Sequence, residues 1–236
     1  MTKSWMMGWV SVALCAASAV AATPGNYNLP DAPSTAVAKP VATFTPIKPI
    51  RAATEADAPD VARVEAYLST ISSIVADFTQ ISADGSVGAG KFYLKRPGKM
   101  RWQYAPPTPI LLVSDGKVIT YYDAGLDQVS YIGIDDTLAG FLAKKDILLN
   151  SASTRLTNFE VKDGFIRATV VQKAKPAEGS LTLEFTDKPI QFSKMMAIDA
   201  TGNATTIQLS NAQFGPVLDN KMFIFEDSRS VHRKRR

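Results

Sequence analysis

From Asp77 almost to its end, the chain is broken at short intervals by turn signals, and between the breaks apolar and polar residues alternate. Successive side chains on a strand point to opposite faces, so this alternation suits a sheet with one buried face. Strands are expected at Asp77–Ala83, Ala89–Arg96, Lys99–Tyr104, Ile110–Ser114, Val118–Asp123 and Gln128–Ile132. They resume at Leu156–Lys162, Phe165–Gln172, Ser180–Asp187, Ile190–Asp199, Thr205–Asn211 and Met222–Phe225. Asp84-Gly85, Pro97-Gly98, Asp115-Gly116, Asp163-Gly164 and Thr201-Gly202-Asn203 supply turns. Two helices interrupt the series. Val61, Val64, Leu68, Ile71 and Val75 fall at helical spacing, with Asp57 or Asp60 as the cap, and predict four to five turns. Asp135–Asn150 places Leu138, Phe141, Leu142 and Leu149 on one helical face. The expected fold is mainly β (α+β): a strongly curved antiparallel sheet or barrel with the helices on one side.

Four stretches divide the chain. Residues 1–22 have the build of a secretory signal peptide: Lys3, the apolar or small run Trp5–Val20, then small residues suited to cleavage. Leu14, directly before Cys15, argues against lipid attachment there. Residues 23–58 are rich in Pro and Ala without apolar periodicity and read as a disordered linker. The folded domain is expected over 59–228, and 229–236 form a basic tail. That tail holds five of the 26 cations and no acid, so the remainder carries one cation fewer than its 22 acids. The sequence pI of 9.1 therefore belongs to the tail and does not point to nucleic acid.

The chain has one Cys and one His, too few for a Cys/His zinc site or a disulfide framework. His232 sits in the basic tail, a poor place for a catalytic base. Asp115, Asp123, Asp127, Asp135 and Asp136 fall where turns and helix starts want Asp. No enzyme activity, metal or cofactor is expected.

The informative residues lie on adjacent strands. Phe92, Leu94 and Arg96 share one face, as do Met100, Trp102 and Tyr104. An apolar face of this kind meets either a filled core or a ligand. Arg96, closing an apolar row before a Pro-Gly turn, reads either as an arginine snorkelling at the rim or as a polar latch at a cavity mouth.

The stretches Phe92–Tyr104 (FYLKRPGKMRWQY) and Leu111–Asp123 (LLVSDGKVITYYD), with the DFTQ of Asp77–Gln80, resemble the periplasmic outer-membrane lipoprotein carriers, the LolA family. The similarity spans about Asp60 to Phe225. It implies a half-barrel, an incomplete, strongly curved antiparallel β-barrel closed by helices on its concave side, whose apolar cavity takes lipoprotein acyl chains, with Phe92, Leu94, Met100, Trp102, Tyr104, Leu112, Leu138, Phe141 and Leu142 on the acyl-binding side. It implies that Arg96 hydrogen-bonds the helical lid and holds the empty carrier closed. It further implies a monomer in the periplasm of a Gram-negative bacterium, loaded by an inner-membrane ABC transporter complex and unloaded onto an outer-membrane receptor lipoprotein. The end of the chain departs from the family pattern: Phe223-Ile224-Phe225 is followed by Glu226-Asp227-Ser228, without the usual Pro and Gly. Two other functions stay open: a carrier for another amphiphile such as a glycolipid or hopanoid, and a lipoprotein-sensing interaction module.

Overall fold

The structure, a computed structural model, describes residues 50–226. The signal-like segment, most of the linker and the basic tail lie outside the described residues. Eleven antiparallel strands form one sheet in the order β6-β5-β4-β3-β2-β1-β11-β10-β9-β8-β7. They are β1 (Ser73–Ile81), β2 (Val87–Lys95), β3 (Lys99–Tyr104), β4 (Ile110–Asp115), β5 (Val118–Asp123), β6 (Gln128–Gly133), β7 (Thr154–Lys162), β8 (Phe165–Gln172), β9 (Gly179–Thr186), β10 (Gln191–Asp199) and β11 (Ala204–Phe214). Two α-helices join them, α1 (Ala58–Thr70) and α2 (Leu138–Ala143).

The sheet is curled but not closed. Laid flat, eleven strands would span about 50 Å. Yet Ile119 on β5 and Phe159 on β7, near opposite edges, share one buried cluster with Phe78 and Phe92 from the middle. The inner face is therefore wrapped around its own core. The two edge strands do not pair with each other.

Both predicted helices are shorter than expected. α1 stops at Thr70, and Ile71 is already extended. Ser69 and Thr70 turn their hydroxyls back onto the carbonyls of Glu65 and Tyr67, and the β-branched residues that follow favour a strand. Val75 consequently lies on β1 and packs on the outer face. Asp57 holds the N-cap position of α1 but makes no cap bond; it accepts from Thr54 and Arg51 instead. In the second case only Leu138–Ala143 is α-helical, preceded by a 3-10 turn at Ile134–Asp136. Ile147 and Leu149 are fully buried without being helical. This segment must run from one sheet edge to the other, and extended chain covers about 3.3 Å per residue against 1.5 Å in a helix. The strand expected at Met222–Phe225 is a 3-10 turn, Asn220–Phe223, capped by Asp219. It lies on the outer face, where Leu218 and Phe223 bury against Val113.

The chain before α1 is engaged with the sheet as well. Ala53 donates to Thr157 and Phe159 donates to Arg51, so this segment covers the β7 edge. Arg51 pairs with Asp57 at 2.5 Å. That guanidinium, helped by the Thr54 amide and hydroxyl, holds the Asp57 carboxyl well below the usual carboxylate range. The pinning is thus fully present above about pH 4, where the unfolded carboxyl ionises, and is lost as acid titrates it through its lower folded value. Because Arg51 is half exposed, solvent screening keeps the pair's own contribution small. Asp57→Asn at pH 6 is expected to raise amide exchange at Ala53 and Phe159 by about fivefold. Unchanged exchange there would show that the backbone pairing holds this edge alone.

Candidate functional site

Topology places a cover over the inner face. Strands β6 and β7 are the two sheet edges, so the connection between them, residues 134–153, has to cross the opening. Helix α1 enters β1 at the centre of the sheet and lies beside it. Arg63 pairs with Asp187 at 2.8 Å, the Tyr67 hydroxyl accepts from the Phe192 amide at 3.0 Å, and Glu65 accepts from the Leu149 amide at 2.7 Å. The last of these ties α1 to the crossing segment.

The β2–β3 hairpin reaches both. Its Pro97-Gly98 turn sits against the β4–β5 turn so closely that a Cβ on Gly98 would lie 2.5 Å from the Gly116 Cα, and Gly98 has φ +79°. Only glycine fits there without strain. The packed turns let Ser114 donate to the Gly98 carbonyl at 2.8 Å, while the Gly98 amide donates to Ala143 at 2.7 Å, at the end of α2.

Arg96, just before that turn, binds both helices. Its Nε donates to the Leu142 carbonyl at 3.0 Å, and one terminal nitrogen donates to Ile71 at 2.8 Å and to Leu68. Leu68 and Ile71 are at the C-terminal end of α1, and Leu142 is in the last turn of α2. Helix C-termini present unpaired carbonyls with partial negative charge, so one guanidinium caps two helices at once. Burial pushes the Arg96 guanidinium down to about 10, against a small opposing pull from Tyr67. It therefore stays protonated near neutral pH, and its loss of hydration at this junction is offset by three carbonyl acceptors.

Beneath this junction lies a small apolar cavity bounded by Leu68, Ile71, Ile74, Phe92, Leu94, Leu142 and Phe192, with Arg96 at its rim. Its free volume is about 10 Å³, room for about one water. Around it the protein's own side chains form the main buried cluster. Phe92, Leu94, Met100, Trp102, Tyr104, Leu112, Phe141 and Leu142 are all buried in one cluster, and Leu138 packs against it. Phe92, Leu94 and Leu142 line the cavity; the other six expected residues are part of the surrounding core. Ile74 and Phe192 were not singled out in the sequence. The apolar alternation of β1 could have marked Ile74. For Phe192 no local signal exists, because only the fold brings β10 beneath α1.

The carboxylates considered for catalysis serve turns where the structure shows their bonds. Asp115 accepts from the Lys117 and Val118 amides, which hold its carboxyl below the ordinary range. Asp123 accepts from Gly125 and Leu126. The other cations of the same hairpin face outward: Lys95 and Lys99 bind Asn220, and Arg101 donates to Met222 at 3.0 Å, fixing the C-terminal turn.

Residues 69–226 match the family model described as outer membrane lipoprotein carrier protein LolA. The outer-membrane lipoprotein carrier protein of Methylococcus capsulatus is 29% identical over 76% of this chain and 89% of its own. Those of Pseudomonas aeruginosa and Azotobacter vinelandii are each 31% identical, over 72% and 73% of this chain and 85% and 86% of theirs. Among solved structures, a LolA superfamily protein from Nitrosomonas europaea aligns with TM-score 0.40 and 10% identity over 70% of this chain and 97% of that one. The sequence matches cover the hairpin that carries Arg96, the curled sheet and the crossing segment, and by them this chain belongs to the LolA family of outer membrane lipoprotein carrier proteins.

Proposed function

We propose that this protein is a periplasmic carrier that accepts the acyl chains of lipoproteins released from the inner membrane and delivers them to an outer-membrane receptor. The observation that carries this reading is the Arg96 junction: a single side chain joins α1 and α2 over an apolar interior, in a member of this family. A lipoprotein with roughly three chains of about sixteen carbons would cost on the order of 30 kcal/mol to expose to water, so it cannot cross an aqueous space unshielded. The same interior that is filled in the closed molecule becomes a binding surface when the cover lifts. The wall residues Leu, Met and the aromatics make non-directional contacts suited to flexible chains. In this reading the transporter complex loads the opened protein, the cargo keeps it open, and release to the receptor lets Arg96 close it again.

The test is depletion of the protein in its host together with native mass spectrometry of the protein taken from the periplasm. Lipoproteins held back at the inner membrane, and a lipoprotein-bound species, are the expected results. A bound free glycolipid or hopanoid with normal lipoprotein sorting would replace this cargo by another amphiphile. An unloaded protein with normal sorting would point to a sensing role.

A further inference from the structure

On the β1–β3 side of the sheet the apolar inner wall has a defined end, although the row level with Gln80 on β11 and β10 stays apolar at Ile207 and Met195. Along β1 the inward residues run Ile74, Ala76, Phe78, Gln80. Ile74 borders the cavity under Arg96. From there the wall is aromatic: Phe92 stacks on Trp102 at 4.0 Å, and Phe78 meets Trp102 and Tyr104 edge-on at 5.1 and 4.9 Å. Beyond these rings the wall turns polar while staying buried. Tyr104 donates its hydroxyl to Gln80 Oε1 at 2.6 Å, and Gln80 donates from Nε2 to Ser82 at 3.2 Å. Gln80 is 1% exposed and Ser82 5%.

The backbone is shaped for this arrangement. Tyr104 is on β3 and Gln80 on β1, with β2 between them. The β2 residue opposite Gln80 is Gly88, and a Cβ there would lie 3.1 Å from the Tyr104 ring. The absent side chain lets the ring lie across β2 so that its hydroxyl reaches a strand two places away.

Resting on the carrier reading above, we propose that Tyr104, Gln80 and Ser82 form a stop that sets how far an acyl chain can enter. A methyl end cannot replace the hydrogen bonds of the stop, and prying it apart would leave buried polar groups unpaired. The apolar stretch from Ile74 to Gln80 is about 20 Å long at strand rise. One leaflet of a bilayer's hydrocarbon core is about 15 Å deep, so the wall accommodates one membrane acyl chain and little more.

The experiment uses the mature protein and synthetic peptides N-acylated with a single saturated chain of about 8 to 20 carbons, read as affinity against chain length. Each added CH₂ is expected to tighten binding about fourfold until the chain reaches the stop, and by less than about twofold thereafter. The variant Gln80→Leu/Tyr104→Phe, which removes the polar pair with little change in volume, is expected to move that break to longer chains by at least about two carbons. A break that stays in place in the folded variant overturns the stop alone. So does an unbroken fourfold gain in the wild type, a result that needs no variant. If the wild type binds none of the peptides, the carrier reading fails and the stop falls with it.

Discussion

Arg96→Leu is expected to leave the protein folded and able to take up lipopeptide, but to slow transfer to the receptor by tenfold or more. The substitution removes three donated hydrogen bonds and leaves the Leu142, Ile71 and Leu68 carbonyls facing an apolar side chain when the cover is shut. A hydrogen bond from a charged donor contributes about 1.5–3 kcal/mol, and part of the three is cancelled by the hydration the guanidinium gives up on closing. A net loss of about 2–4 kcal/mol lowers the closed-to-open ratio by roughly 30- to 1000-fold. The open form should bind a hydrophobic dye such as ANS, and amide exchange should quicken in α2. Release slows because re-closing over the emptied interior no longer helps expel the cargo. Dye binding and transfer rates equal to those of the wild type would remove Arg96 from the mechanism. Since the guanidinium remains charged even when pushed down to about 10, transfer by the wild type should be flat between about pH 6 and 8.

Trp102→Ala is expected to destabilise the fold by about 3–5 kcal/mol. The indole stacks on Phe92, meets Phe78 edge-on and is 5% exposed, so its removal leaves a void that the strand backbones cannot collapse into. For a domain of this size that corresponds to a Tm lower by roughly 6–20 °C. The carrier reading adds a second expectation: a triacylated lipopeptide should raise the variant's Tm more than the wild type's, because acyl carbon refills the vacated space. A fall of less than about 3 °C would show that Trp102 is loosely packed. An equal rise in both proteins would show that cargo does not reach this part of the wall.

Much of the sheet was legible because period-two patterning is a local property. β3, β5 and β8 run over the predicted residues, and most other strands differ by one to a few residues at their ends. The elements that failed are those whose conformation is set by what they must span or cover. The crossing segment carries apolar residues at helical spacing, yet it runs between two sheet edges and after Ala143 it continues as bends and irregular chain. Val75 fits the helical pattern of α1 equally well, but pairing with β2 and β11 decides in favour of a strand. The outer-face turn at Asn220–Phe223 is held by Lys95, Lys99 and Arg101, residues more than a hundred positions away.

The site divides along the same line. Alternation and turn residues alone established a curved antiparallel sheet with Phe92, Leu94, Met100, Trp102 and Tyr104 on its buried side, because side-chain direction in a strand follows from position. The run around Arg96 carried the family resemblance. Only the folded chain decided that Arg96 meets the ends of two helices, that Phe192 and Ile74 complete the cavity, and that Tyr104 reaches over Gly88 to Gln80. Those relations join residues far apart in sequence, and no short-range pattern encodes them; they exist once backbone pairing has set the register and the sheet has curled around its core.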